Sequence, residues 1–187
     1  DRRRRTGLDA LPDVGGVQAR AGLAEGRVAG QQVAVKGPLG RLAWELGDGV
    51  SVQVADSLLQ VNRAGNDSHT RAMHGLVRAE LHNMIDGVIK GYERSLEVTG
   101  VGYKAQLQGK SLSFSVGYTH PVVYDLPAGI DAKVDKQTLI TIKGIDKRLV
   151  GQTAADLRAI KPPDVYKQKG VRYLGEQLRK KAGKTGK

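Results

Sequence analysis

The amino-acid sequence predicts an α+β protein of two similar small domains, each an antiparallel or mixed β-sheet packed against one main α-helix. Runs in which apolar and polar residues alternate, typical of half-buried strands, recur along most of the chain. Two amphipathic stretches of helical period follow such runs, and each is preceded by an aspartate suited to capping a helix. Because this order occurs twice, we interpret the chain as an internal duplication of one α+β unit.

The first domain is expected at residues 28–90. Alternation predicts strands near residues 33–35, 42–46, 50–54 and 59–61, with a turn containing glycine and proline at 36–40. Asp67 and Ser68 then offer an N-cap to a helix over residues 68–89. Its apolar stripe recurs at three- and four-residue steps: Met73, Leu76, Val77, Leu81, Met84, Ile85 and Val88. Gly75 and Gly87 each cost such a helix about 1 kcal/mol relative to alanine, so we expect packing to hold it together.

The second domain is expected at residues 91–174 and repeats this plan. Strands are predicted at residues 93–99, 103–108, 111–117, 121–126, 130–135 and 138–143, with a hairpin turn at Gly109-Lys110. Asp146 is expected to cap a helix over residues 147–160, and Pro162-Pro163 prevents its continuation. A basic tail occupies 175–187. Residues 1–27 lack a clean period, which predicts a loop or weakly ordered extension.

The positive charge of the chain is concentrated at its C-terminal end. The 187 residues carry a formal net charge of +11, and residues 161–187 supply +7 of it, with nine Lys or Arg against two acids. Such a concentration indicates a polyanionic partner, of which phosphate backbones are the usual case. The sequence contains no cysteine, which excludes disulfides and thiolate metal sites. No apolar run approaches the ~20 residues that a membrane-spanning helix needs.

Motifs for nucleotides, metals and catalysis are weak. Residues 100–105 match the relaxed dinucleotide fingerprint, but a strand is predicted where that motif requires a helix. Gly109-Lys110-Ser111 resembles the end of a phosphate-binding loop without its leading glycine or its following helix. His74 and His82 are two helical turns apart, too far to chelate one ion, and we expect helix-edge histidines, of which His74 could touch phosphate. No set of nucleophile, base and orienting residue was found, so we expect no enzyme, no cofactor and no metal.

The segment 162–173 is the strongest candidate site. It breaks the second helix and then places lysines, an arginine and two tyrosines on a short loop punctuated by Gly170. Aromatic rings can stack on unpaired bases, and Lys and Arg neutralise phosphates. A solvated, disordered tail is the plain alternative, and binding to an anionic membrane is another, although no basic amphipathic helix supports it.

The same segment resembles the signature of the bacterial large-subunit ribosomal protein L6 family. Its sequence P-P-D-V-Y-K-Q-K-G-V-R-Y is close to the family pattern P-P-E-P-Y-K-G-K-G-I-R-Y. Further segments similar to the family occur in the same order at residues 35–40, 73–78, 83–88, 98–103, 115–122, 142–147 and 181–187. Two departures stand out: residues 1–27 do not show the usual start of the family, and Gln168 replaces a small residue.

The resemblance implies two similar α+β domains without enzymatic activity. It implies a structural constituent of the large subunit that binds 23S-type rRNA, mainly through the C-terminal domain, near the factor-binding region, the sarcin–ricin loop and the stalk base. Neighbouring ribosomal proteins and nearby translation factors would be its other partners. A bacterial cytoplasm is the default location, with an organellar ribosome left open.

Specific residues are expected to form the rRNA interface. Cations should contact phosphates, and Tyr166 should pack against a ribose or base or buttress the loop. The expected interface residues are Lys143, Lys147, Arg148, Lys161, Tyr166, Lys167, Lys169, Arg172, Arg179, Lys180, Lys181 and Lys184. Two rival functions remain: an extra-ribosomal regulator that binds nucleic acid, and an enzyme that uses the turn at residues 100–105.

Overall fold

A computed structural model describes residues 15–18, 24–55 and 58–183 of the chain. These residues divide between Ile85 and Asp86 into two compact units. The two-unit α+β architecture predicted from the sequence is confirmed, because each unit combines two small antiparallel sheets with a helix. Among the described residues, no helix is long and apolar enough to cross a membrane.

The described residues of the first unit form six strands and most of a helix. They are β1 (Gly15–Gln18), β2 (Glu25–Ala29), β3 (Gln32–Gly37), β4 (Gly40–Glu45), β5 (Val50–Ala55), β6 (Leu58–Arg63) and α1 (Ser68–Lys90). One sheet has the strand order β1-β6-β5 and the other the order β2-β3-β4. The core of the unit is aliphatic, with Val33, Val61 and Val77 among its fully buried side chains. The alternation in the sequence is thus the signature of two sheets that each bury one face.

Helix α1 begins as predicted, and its apolar stripe is wrong at one position. The Asp67 carboxylate accepts a hydrogen bond from the Thr70 backbone N–H at 3.1 Å, and hydrogen bonds from Thr70 lower the pKa of Asp67. Leu76, assigned to the stripe, is 47% exposed, whereas its neighbour Val77 is fully buried. Because Leu76 and Val77 are 100° apart around the helix, the buried face is narrower than the apolar sequence pattern.

The second unit contains the last turn of α1, seven strands and one helix. They are β7 (Tyr92–Thr99), β8 (Lys104–Gln108), β9 (Ser111–Ser115), β10 (Val122–Asp125), β11 (Ile130–Asp135), β12 (Leu139–Gly144), α2 (Lys147–Ile160) and β13 (Gly170–Tyr173). The sheets have the orders β11-β12-β7-β13 and β10-β9-β8. Helix α2 has the predicted bounds, and the Asp146 carboxylate caps it by accepting from the Arg148 N–H at 2.8 Å. Its Val150, Ala154 and Leu157 are buried, and their three- and four-residue spacing places them on one face of the helix.

The pairing of strands shows the internal repeat. In each unit the first strand pairs with the sixth, the sixth with the fifth, and the second, third and fourth form a meander. Strands β1–β6 with α1 therefore correspond one by one to β7–β12 with α2. The second unit adds β13, which pairs with β7 after the end of α2.

The expectation of a weakly ordered segment at residues 1–27 is wrong in two places. Strand β1 pairs with β6, and β2 forms a hairpin with β3 across Gly30, whose φ is +60°. The alternation was hidden because β2 turns Gly26 rather than a large apolar residue toward the core. A Cβ at Gly26 would lie 2.8 Å from the Leu59 side chain, so the position has no room for one. Residues 1–14 and 19–23, also covered by that expectation, lie outside the described residues.

The two helical glycines of α1 have different surroundings. A Cβ added at Gly87 would come within 2.1 Å of the Ile145 carbonyl oxygen, whereas one added at Gly75 would have no atom within 4 Å. Gly87 therefore permits a close approach of backbone to backbone in the second unit. Gly75 lowers the stability of the helix relative to alanine, and no close contact at this position requires a glycine.

Candidate nucleic-acid interface

The residues 161–169 form a closed loop between α2 and β13. Pro162 and Pro163 end the helix, and the Asp164 N–H donates to the Lys169 carbonyl at 3.0 Å. The Gln168 N–H donates to the Asp164 carbonyl at 2.8 Å, and the Asp164 carboxylate accepts from the Lys167 N–H at 3.1 Å. These bonds fix the backbone that carries Lys167 and Lys169.

Gly170 closes this loop onto its own start. A Cβ there would lie 2.7 Å from the Lys161 carbonyl oxygen and 2.8 Å from that of Pro162, and the φ of Gly170 is +147°. The Val171 N–H then donates to the Lys161 carbonyl at 2.8 Å. The loop itself therefore requires glycine at this position, because its own backbone leaves no room for a side chain.

The segment 170–173 was expected as part of the loop, and this was wrong, because it is strand β13. Arg172 is the cross-strand partner of Glu97 on β7, and its Nε and Nη2 lie 3.1 and 2.8 Å from one oxygen, Oε2, of Glu97. The sequence did not predict this strand because it is only four residues long and the residue paired with Arg172 is 75 positions away in the chain. Arg172, expected at a phosphate, thus has an internal carboxylate partner.

The tail after β13 folds back along the second unit. The Glu176 carboxylate accepts from Arg158 Nη2 at 2.6 Å and Nε at 3.1 Å, and from the Tyr173 N–H at 3.0 Å. This hydrogen bonding, chiefly from Arg158, lowers the pKa of Glu176 and raises that of Arg158. Further along, the Lys181 N–H donates to the Val165 carbonyl at 3.0 Å. The alternative of a freely solvated tail therefore does not describe residues 174–181, whereas Lys184 lies outside the described residues.

The cations of this region divide into two classes. Lys143 pairs with Glu93 at 2.8 Å, Lys147 lies over the Tyr92 ring at 5.7 Å, and Arg172 pairs with Glu97. Within the part of the chain that the structure describes, five others form neither an ion pair nor a ring contact: Lys167, Lys169, Arg179, Lys180 and Lys181. We call residues 164–169 and 177–183, which carry these five, the loop–tail surface. Tyr166 on this surface is 51% exposed.

The structure does not bring every predicted residue together. Lys147 and Arg148 lie in the first turn of α2, and Lys161 follows its last turn, so the length of the 14-residue helix, about 20 Å, separates them. The Lys161 ammonium lies 4.6 Å from the centre of the Tyr118 ring, and the Tyr118 hydroxyl donates to the Ile160 carbonyl at 2.9 Å. Sequence reasoning did not select Tyr118, because no local pattern announces a contact with a residue more than 40 positions away.

The other candidate sites find structural explanations. Residues 100–105 lead into strand β8 rather than a helix, and the Tyr103 ring packs against Gly100 and Gly117. Gly109-Lys110 is the tip of the β8–β9 hairpin, as predicted. His74 is 7% exposed, with its Nε2 at 3.2 Å from the Val61 carbonyl, so the expectation of a helix-edge side chain near phosphate was wrong. The described residues contain no group of three or more His, Asp or Glu placed to hold a metal.

Two repeated α+β units, of which the second carries a basic surface, are typical of a small ribosomal component. A family model described as Ribosomal protein L6 matches residues 17–91 and again residues 99–174. The chain therefore belongs to the ribosomal protein L6 family. The double match agrees with the repeat seen in the strand order.

Curated relatives support the same family. The chain is 53% identical over 161 residues to large ribosomal subunit protein uL6 of Koribacter versatilis, covering 85% of this chain and 89% of that protein. It is 50% identical over 160 residues to the uL6 of Maridesulfovibrio salexigens, covering 86% and 90%. The uL6 of Geobacter sulfurreducens is 50% identical over 153 residues, covering 82% and 86%.

Proposed function

We propose that this protein is a structural constituent of the large ribosomal subunit and binds 23S-type rRNA through the loop–tail surface of its second domain. The observation that carries the proposal is the set of five cations that have no ionic partner among the described residues and stand on a hydrogen-bonded backbone. Cations that the protein does not neutralise, carried on a backbone that is already ordered, are suited to binding phosphates. When RNA binds, no internal salt bridge is broken and little conformational freedom of the backbone is lost.

Within the predicted interface we assign different roles to different residues. Lys167, Lys169 and the cluster 179–181 contact phosphates, and the half-exposed Tyr166 packs against a ribose or base. Lys143, Lys147, Arg148 and Lys161 are a second set of proposed rRNA contacts outside the loop–tail surface. Lys184, outside the described residues, is a further proposed contact. Arg172 stabilises β13 through Glu97 instead of binding phosphate. This assignment uses no catalytic group and no cofactor.

The family supports the finer parts of the proposal. Its relatives bear the name of a large-subunit protein, and this name implies a ribosome-bound location. We propose that the protein acts in the bacterial cytoplasm, near the factor-binding region, the sarcin–ricin loop and the stalk base, beside other ribosomal proteins and within reach of translation factors.

The salt dependence of rRNA binding tests the proposed surface. The logarithm of the association constant of the full chain for 23S rRNA should fall linearly with the logarithm of the salt concentration. The slope is set by the number of phosphate contacts. In the double variant Lys167→Gln/Lys169→Gln, we expect the slope to become shallower by about two, roughly one per lost contact. Lys110→Gln/Lys136→Gln, at exposed positions in the β8–β9 and β11–β12 turns, removes the same charge from cations that also have no ion pair among the described residues, and should leave the slope nearly unchanged.

If the salt slope became shallower by the same amount in both double variants, only net charge would matter. That result would contradict the assignment of Lys167 and Lys169 to phosphate contacts. Sedimentation of cell lysate at low and high salt tests the ribosomal role separately. Co-migration with the large subunit through a moderate salt wash is expected. Recovery in the soluble fractions would favour the extra-ribosomal regulator instead.

A further inference from the structure

Gln168 joins the loop and the tail. Its side-chain Nε2 donates to the Leu178 carbonyl at 3.2 Å. Its backbone has a φ of +56°, in the left-handed region that favours glycine, so the residue occupies this place at a conformational cost. Glycine would meet the backbone requirement of Gln168 more easily, but it has no amide that could reach Leu178.

This bond lies between two other attachments of the tail. Before it, Glu176 is held by Arg158 and by the Tyr173 N–H. After it, the Lys181 N–H is held by the Val165 carbonyl. Arg179 and Lys180 lie between Leu178 and Lys181, so the Gln168 and Lys181 bonds bracket two of the free cations against the loop that carries Lys167 and Lys169.

We propose that Gln168 is a positioning residue for rRNA binding, a clasp that holds the cations of the tail beside those of the loop as one surface. This inference rests on the proposed function. Ordering the tail on the free protein means that less conformational freedom is lost when RNA binds, and binding is tighter for that reason. Gln168 acts through the placement of its neighbours, and its own neutral side chain contributes no charge.

The chain offers a matched control at Gln137. This residue also has a left-handed backbone, with φ of +59°, and it lies exposed in the β11–β12 turn. Gln168→Gly and Gln137→Gly therefore make the same chemical change at the same backbone conformation, and only the first removes a link to the tail. Both variants relieve the left-handed strain, so each should be as stable as the parent or more so.

Three measurements on the full chain test the clasp. They are urea unfolding, hydrogen exchange of the Lys181 amide, and the affinity for 23S rRNA at several salt concentrations. For Gln168→Gly we expect faster exchange at Lys181 and a Kd raised ~2- to 10-fold, the loss of one hydrogen bond, with an unchanged salt slope because no charge is removed. Gln137→Gly should leave the exchange and the Kd at their parent values. A weaker affinity at undiminished stability is a result that a merely structural role would not give.

Parent-like affinity and Lys181 exchange in Gln168→Gly would overturn the clasp and leave the proposed function intact, provided that the parent binds. A shallower salt slope in that variant would also overturn it, because it would indicate lost phosphate contacts rather than lost order. Failure of the parent itself to bind 23S rRNA would overturn both proposals.

Discussion

Replacing Arg172 with glutamine is expected to lower the stability of the second unit without changing the salt dependence of rRNA binding. Arg172 stands in the basic segment where the sequence predicts phosphate contacts. Its guanidinium nevertheless faces Glu97 across the β7–β13 ladder, and the two residues are direct Cα partners in the register. The substitution thus separates a charge that serves the fold from charges that are available to RNA.

The magnitude follows from the geometry and the exposure. Two N–H groups of Arg172 reach one Glu97 oxygen at 3.1 and 2.8 Å, and the two side chains are 26% and 36% exposed. Charge-assisted hydrogen bonds contribute about 1.5–3 kcal/mol when protected from water, whereas exposed pairs contribute about 0.2–1 kcal/mol. With about a third of the pair in solvent, we expect Arg172→Gln to cost about 1–1.5 kcal/mol.

The assay is urea unfolding followed through the tyrosines, because all six lie in the second unit and the one tryptophan, Trp44, lies in the first. Arg172→Gln, Glu97→Gln and the double variant form a cycle whose coupling energy isolates the pair. We expect a coupling of about 1 kcal/mol. Lys180→Gln is the matched control, since it removes an exposed cation without an ionic partner among the described residues and should change stability by less than about 0.5 kcal/mol.

The salt slope decides between the two roles. Arg172→Gln should keep the parent salt slope, whereas Lys180→Gln should make the slope shallower by about one. If Arg172→Gln instead retained full stability and made the slope shallower by about one, the stabilising pairing of Arg172 with Glu97 would be refuted. The expectation from the sequence that Arg172 contacts a phosphate would then be supported.

Three further predictions concern the backbone and the tail. Gly75→Ala should stabilise α1 by about 0.5–1 kcal/mol, because an added methyl meets no atom there, whereas Gly87→Ala should cost about 1–3 kcal/mol through its clash with the Ile145 carbonyl; thermal unfolding of the pair checks the contrast. Gly170→Ala should cost about 2–4 kcal/mol, since both its positive φ and its contacts with the Lys161 and Pro162 carbonyls oppose a side chain; a parent-like urea midpoint would contradict this. The pKa of Glu176 is lowered by Arg158, so this pair stabilises the fold above the ordinary value of 4.5 and loses that contribution as the pH falls through the lowered pKa. Urea unfolding between about pH 7 and pH 3 should therefore show a shallower loss of stability in Glu176→Gln than in the parent.

The elements predicted best from the sequence are those whose causes are local. Helix α2 was predicted at its observed bounds because Asp146 caps it at one end and Pro162 and Pro163 exclude helix at the other. The Gly109-Lys110 hairpin was predicted because it joins two alternating strands over two residues. In each case, the determining residues lie within a few positions of the element that they determine.

The elements that were missed depend on distant partners. Strand β13 is too short to show a period and exists because β7 offers it a free edge. Strand β2 is stabilised by its pairing with β3 and by the contact of Gly26 with the Leu59 side chain. Leu59 is too far along the chain for a local sequence pattern to show this contact. His74 lies one helical turn before the buried Val77, on the buried face of α1, and its Nε2 lies 3.2 Å from the Val61 carbonyl of the preceding strand.

The same distinction limits what a charge count says about function. The count of nine basic residues over 161–187 treats all of them alike, yet Arg172 is paired with a glutamate 75 positions earlier and Lys161 lies over the Tyr118 ring. Both carboxylate-bound arginines of this region, Arg158 and Arg172, present planar donors to carboxylates, a geometry for which lysine is poorly suited. Four of the five cations left without an ionic partner are lysines, whose compact ammonium groups can approach phosphates along an irregular RNA backbone without a fixed planar geometry. The charge that the proposed rRNA interface can use is therefore the charge that remains after internal pairing, and the pairing of strands decides which residues carry it.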